Sequence, residues 1–142
     1  MNYLRLLALA LTVALVSCDK ESIVSEDDLP ADAAAFVSTH FPSQEIIRVI
    51  KERDDLKNSY YVYLDDGTKI EFTRSGKLKE IESHGPLPES IFPVKVLDYV
   101  TANYPGTYIR KWDVEGSTHE ARLSNDLELV FDELGNFLRV ED

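Results

Sequence analysis

The chain has 142 residues, enough for one domain or two very small ones. Fifteen Lys and Arg against 26 Asp and Glu give a formal net charge of −11, a field that repels nucleic acid and anionic lipid and favours cationic partners or divalent cations. The single cysteine, Cys18, excludes a disulfide within the chain.

The chain opens with "MNYLRLLALALTVALVSC", in which Arg5 precedes an apolar run from Leu6 to Val16. A stable membrane span needs about 20 apolar residues. This run has the length of a signal-peptide core instead. Leu15-Val16-Ser17-Cys18 resembles the bacterial lipobox, so residues 1–17 are expected to be a lipoprotein signal peptide and Cys18 the lipidation site. The next stretch, "DKESIVSEDDLP", is charged and poor in large apolar residues, and residues 18–28 are expected to be a disordered tether. Cys18-Asp19-Lys20-Glu21 resembles the export signal that sends Bacteroides-group lipoproteins to the cell surface, with Ser22 where that pattern prefers a second acid. The expected address is therefore the envelope of a Gram-negative bacterium, anchored to the outer membrane on either its periplasmic side or its outer surface.

Past the tether the chain repeats itself. Phe36-Val37-x-x-x-Phe41-Pro42 recurs as Tyr99-Val100-x-x-x-Tyr104-Pro105, and Ile70-x-Phe72-x-x-x-Gly76 recurs as Leu129-x-Phe131-x-x-x-Gly135. The first unit covers 29–84 and the second 87–142, joined by the rigid "SHGPLP" turn. Each unit begins with a helix. Pro30, after an acidic cap at Asp28, opens the first, and Ala33, Phe36, Val37 and His40 form its stripe. Pro93 opens the second, with Val96, Tyr99, Val100 and Asn103 at the same spacing. Both helices must stop before the next proline. Four strands follow in each copy, "EIIRVIKE", "SYYVYL", "TKIEFT" and "KLKEIE", then "TYIRKWDVE", "THEARL", "LELVFD" and "NFLRVE".

The central hairpin has one register that serves both copies. A two-residue turn at Asp66-Gly67 sets Leu64 against Lys69, and in the second copy Leu123 against Glu128. A three-residue Asp65-Asp66-Gly67 loop, closed by a residue in the left-handed region, pairs Val62 with Ile70 and Tyr60 with Phe72. The second copy then pairs Ala121 with Leu129 and His119 with Phe131, with Asp126 in the left-handed position. One face becomes apolar. The other carries Tyr61, Tyr63, Lys69, Glu71 and Thr73 in the first copy, and Glu120, Arg122, Glu128, Val130 and Asp132 in the second. The predicted fold class is α+β: tandem units of a helix plus a four-stranded antiparallel sheet, joined into one curved antiparallel sheet with the helices on one face. One such unit is too small for a stable core; two sharing a sheet are not.

The order helix, strand, "YYVYLDDGTKIEF" hairpin, Gly and last strand "KLKEIE", in tandem behind a lipobox, resembles the PepSY-like, beta-lactamase-inhibitor-like family of Bacteroides-type secreted proteins. The resemblance covers nearly all of 29–142. It implies tandem helix-plus-sheet units with one concave open sheet, and a binding or inhibitory role. The departures from the family's regular copies are "SND" at 124–126 and an insertion around Ile91-Phe92-Pro93.

No catalytic constellation presents itself. His40, His84 and His119 have no metal-ligand spacing, and the chain has no phosphate loop, dinucleotide fingerprint or nucleophile elbow. Asp65-Asp66 and Asp132-Glu133 do not follow calcium-loop spacing; turn formation accounts for the first pair, and calcium is the minor reading. No cofactor is expected. The sequence points to a non-catalytic binding module for an unidentified protein partner, touching the membrane through its anchor alone, or to a structural or calcium-responsive envelope protein. For the first reading the contact residues are Tyr61, Tyr63 and Trp112, large aromatics with a polar handle. Trp112 aligns with Val49, so core packing stands beside contact as its alternative role.

Overall fold

The computed structural model describes residues 20–53 and 58–141. The expected signal peptide and Cys18 lie outside the described residues. Nine strands form one sheet in sequence order: β1 (Lys20–Val24), β2 (Ile46–Arg53), β3 (Asn58–Leu64), β4 (Lys69–Thr73), β5 (Leu78–Glu82), β6 (Ile109–Glu115), β7 (Thr118–Leu123), β8 (Glu128–Asp132) and β9 (Phe137–Glu141). Every neighbouring pair is antiparallel. Two helices, α1 (Ala31–His40) and α2 (Val94–Asn103), complete an α+β fold of two helix-plus-sheet halves. Among the described residues no helix is long and apolar enough to cross a membrane.

Each helix starts directly after a proline, Pro30 or Pro93, whose fixed φ suits a helix start. Each ends two residues before the next proline, and the intervening Phe41 and Tyr104 N–H groups donate to the Val37 and Val100 carbonyls at 2.8 Å. Ala33, Val37, Val96 and Val100 are the buried stripe. Both helices cover the same sheet face: Phe36 meets Phe72 edge-on at 5.6 Å, and Tyr99 meets Phe131 edge-on at 5.7 Å. Phe72 and Phe131 are fully buried, each contributing about 1.5–3 kcal/mol.

The two hairpins take the expected register. Val62 pairs with Ile70 and Tyr60 with Phe72; Ala121 pairs with Leu129 and His119 with Phe131. The Leu64 N–H donates to Thr68 at 2.9 Å and the Leu123 N–H to Leu127 at 2.9 Å, closing three-residue loops with Gly67 at φ 87° and Asp126 at φ 69°. Gly76 and Gly135 do different work. A Cβ on Gly76 would lie 2.9 Å from both the Ala33 backbone N and Pro30 Cβ, and one on Gly135 would lie 3.0 Å from Pro93 Cβ. The turn before the last strand of each unit is pressed against the start of its helix.

The halves meet edge to edge. β5 pairs with β6 through Glu80–Asp113, Ile81–Trp112 and Glu82–Lys111. The linker is pinned above this seam, with the Ser83 N–H donating to Arg110 at 2.9 Å and the Leu87 N–H to Ile109 at 3.0 Å. The insertion expected around Ile91-Phe92-Pro93 is absent among the described residues: residues 89–91 form a short 3-10 turn that matches 26–28 ahead of α1, and Phe92, in the place of Leu29, meets Trp112 edge-on at 5.2 Å.

The tether expectation fails over its described part. Residues 20–24 are β1, which pairs with β2 from Lys20–Arg53 to Val24–Val49. Residues 26–28 form a 3-10 turn capped by Ser25, and the Asp28 carboxylate accepts from the Ser25 N–H at 3.0 Å. Asp28 thus caps that turn and not α1. The open edge of β2 overrides the low strand propensity of this charged segment.

Candidate functional site on the open sheet face

No second layer covers the sheet face opposite the helices among the described residues. The strand registers align its side chains in rows. One row begins with Ile23, Ile50 and Tyr61. It continues through four carboxylates set directly opposite one another, Glu71, Glu80, Asp113 and Glu120, and ends with Val130 and Arg139. Like charges placed opposite each other are unfavourable, so this row stands only with counter-charges. Lys79, the extra residue of the bulge between β4 and β5, pairs with Glu71. Lys111 sits 3.1 Å from both Glu80 and Asp113, and the Arg122 Nε donates to Glu128 at 2.8 Å. These groups line a shallow groove of about 440 Å³.

The seam's two acids titrate apart. Burial and the Glu80 hydrogen bond push the Asp113 carboxyl up to about 6, against the pull of Lys111. For Glu80, burial acts upward, but its bonds to Lys111 and Asp113 outweigh it and hold the group below an ordinary glutamate. The pair shares charge across the junction of the two halves.

Tyr61 and Tyr63 stand on this face, half-buried. The Tyr61 hydroxyl donates to Glu52 at 2.8 Å, and Lys69 Nζ lies 5.0 Å over its ring. Burial, then Glu52 and Glu71, push that hydroxyl far above the usual phenol range. The Arg48 guanidinium lies 4.4 Å over the Tyr63 ring. Trp112 is not with them. It is 2 % exposed on the helix side, packed against Phe92, His119 at 5.0 Å and Phe131 at 6.4 Å. Ala121 opposite makes room for the indole, as Val62 does for Val49 in the first half. Trp112 therefore leaves the set of contact residues and joins the core.

The remaining polar candidates are structural. Asp66 accepts from the Thr68 N–H at 2.9 Å and Asp65 from the Glu45 N–H at 3.2 Å. Asp132 accepts from the Asn136 side-chain amide at 2.8 Å and from the Asn136 and Leu134 N–H groups at 2.8 and 3.0 Å, which together hold it below the usual carboxylate range. His40 Nδ1 and Ser90 Oγ are 2.8 Å apart but solvent-facing, and no acid orients the ring among the described residues. Among those residues, no three His, Cys, Asp or Glu side chains converge to hold a metal. The four-acid row escaped the sequence because Glu80 and Asp113 meet across the β5–β6 seam. Carrying the hairpin register through that seam would have found it.

The family model described as "Putative beta-lactamase-inhibitor-like, PepSY-like" matches residues 58–139, more than half the chain. The chain belongs to the PepSY-like family. The match runs from β3 to β9 and takes in both hairpins. This PepSY-like chain is similar to the crystal structure of a "putative calcium-regulated periplasmic protein" of Bacteroides thetaiotaomicron, with 30% identity and a TM-score of 0.82 over 86% of this chain and 97% of that one. It is also similar to two putative periplasmic proteins of Bacteroides vulgatus. One has 28% identity and a TM-score of 0.80 over 88% and 99% of the two chains, and the other 30% and 0.80 over 86% and 99%. No curated protein matches.

Proposed function

We propose that this PepSY-like protein is a non-catalytic, lipid-anchored binding module of the bacterial cell envelope that grips a protein partner through the open face of its sheet. The carrying observation is that uncovered face, where Tyr61 and Tyr63 are held in place by Glu52, Lys69 and Arg48. Aromatic side chains already fixed by neighbours lose little freedom on contact, and they dominate protein interfaces. The periplasmic descriptions of the Bacteroides relatives support the compartment, and the lipobox at Cys18 supports the anchor. Inhibition of an enzyme is the form of binding that the family's description suggests.

The test is affinity capture from envelope extracts, comparing the wild-type chain with Tyr61→Ser/Tyr63→Ser. The captured partner is expected to disappear while the melting temperature changes little. Partner capture that survives both substitutions overturns the assignment of this face. A second reading, calcium responsiveness, is supported by the printed description of the B. thetaiotaomicron relative. Calorimetry with calcium separates the two: heat of binding and a raised melting temperature favour calcium regulation, and neither leaves the binding module.

A further inference from the structure

The two ends of the sheet are not equivalent, and the seam between the halves shows what each end lacks. Ile81 of β5 is fully buried because β6 lies against it, with Trp112 opposite. The matching residue of β9, Val140, is 40% exposed, and the outward edge of β9 has no partner among the described residues. Arg139, Val140 and Glu141 occupy in β9 the places of Glu80, Ile81 and Glu82 in β5. A bulge often protects an edge strand. Here it does not: β9 has its bulge at Leu138 and β5 has one at Lys79, yet β5 pairs.

At the other end, β2 corresponds to β6. The edge of β6 carries β5, and the equivalent edge of β2 carries β1. β1 is paired there along five residues, but its side chains match β2 poorly. Glu21 is set opposite Glu52, and Ile23 is 77% exposed. Its side-chain hydrogen bond to β2, from Ser22 to the Lys51 carbonyl, is stretched to 3.5 Å. A β9-type strand fits better. Transferring the seam register to β9 and a second β2 puts Val140 against Val49 on the helix face, and Glu141 against Arg48 on the open face, just as Glu82 faces Lys111. Strand direction agrees with this partner, as it does with a second β9 related by a two-fold axis, which the control below reads out. A sheet continued past β9 in the pattern of the seam, with the helices on one side, takes an antiparallel strand. The β2 edge runs that way, whereas β1 would run parallel to β9.

We propose that β9 docks on the β2 edge of a second copy of this chain, in the place held by β1, so that copies add head to tail and β1 acts as the cap that must leave first. This is strand addition through a heterologous, non-closing contact, and it uses an edge separate from the open face. It does not depend on what that face binds.

The experiment uses the full chain with Val49→Cys and Val140→Cys, with and without Val24→Asp, which puts a charge under β1. Under mild oxidation, non-reducing gels of the Val24→Asp chain are expected to show dimers, trimers and larger species, with far less in the parent. A chain with Val140→Cys alone reads out any linkage through Cys18 or between two β9 strands. No ladder beyond that control overturns the proposal, as does an equal yield of dimer from the control. A second measurement is made in the Val24→Asp background, where the β2 edge is open. Arg48→Glu and Glu141→Arg should each cut the cross-linked yield about fivefold, and the double swap should restore it. Failure of the double swap to restore it also overturns the register.

Discussion

The two halves share a backbone and differ in what they load onto it. On the helix face, Val49 opposite Val62 in the first half becomes Trp112 opposite Ala121 in the second, and Tyr60 becomes His119. On the open face, Tyr61 and Tyr63 become Glu120 and Arg122. The helix face thus exchanges a medium pair for a large and a small residue, as close packing requires. The open face has no such constraint and changes chemical character outright. Packing constrains the core in pairs, while surface residues vary singly.

Exchanging the pairs tests this rule with the largest effect. Trp112→Ala should cost about 3–5 kcal/mol in denaturant unfolding, and Val49→Ala about 2 kcal/mol. Rebuilding the first-half pair in the second half, Trp112→Val with Ala121→Val, should recover part of the Trp112→Val loss. A double variant no better than Trp112→Val alone would show that the compensation is not pairwise.

The glycines come next. Gly76→Ala brings a Cβ against a backbone nitrogen, and Gly135→Ala brings one against the proline ring and side chains. Both also strain a positive φ. Gly76→Ala should cost about 2–5 kcal/mol, and Gly135→Ala should cost less, about 1–3 kcal/mol. Equal losses in urea would mean that the helix start yields as readily in the first half as in the second.

The pH dependence sets two groups of the second half against each other in sign. Burial holds the His119 imidazole below its ordinary value, although Asp132 and Glu133 pull the other way, and its Nδ1 has no partner among the described residues. The unfolded chain binds this proton more readily, so stability is present above about pH 6.5 and falls as the pH drops below it. Asp113 acts oppositely: its carboxyl, raised to about 6, contributes stability at low pH that is lost as the pH rises through 6. His119→Tyr, which copies the first half, should flatten the acid-side loss. Asp113→Asn should remove the gain seen on acidifying from pH 7 to 5. Melting curves between pH 4.5 and 8, a range set around these two values, check both signs.

The smallest effect concerns the hairpin loops. Asp126→Gly relieves a left-handed residue but removes its ion pair with Arg110. A net gain of up to about 1 kcal/mol is expected, larger at high salt where the exposed pair counts for less.

Much of this fold was legible in the sequence because it is written twice. A register that buries Val62, Ile70, Ala121 and Leu129 together leaves no choice of face, and a proline after each helix fixes its end. What escaped depends on contacts distant in sequence. β1 has two adjacent apolar residues, Ile23 and Val24, and becomes a strand only against the edge of β2. The role of Trp112 was decided by the size of Ala121 opposite. The acid row of the open face exists only where the two halves join. Tyr61 and Tyr63 were placed correctly on the helix-free face, but their clasp by Glu52, Lys69 and Arg48 required the neighbouring strands.

β1 has one more consequence, for distance. In a lipid-anchored form, a single residue, Asp19, separates Cys18 from the first paired residue, Lys20. With β1 docked, the sheet stands beside the bilayer on a leash of a few ångströms. With β1 released, the leash lengthens to residues 19–28, and an extended chain of that length spans about 35 Å. The same short strand would then set how far from the membrane the protein can reach.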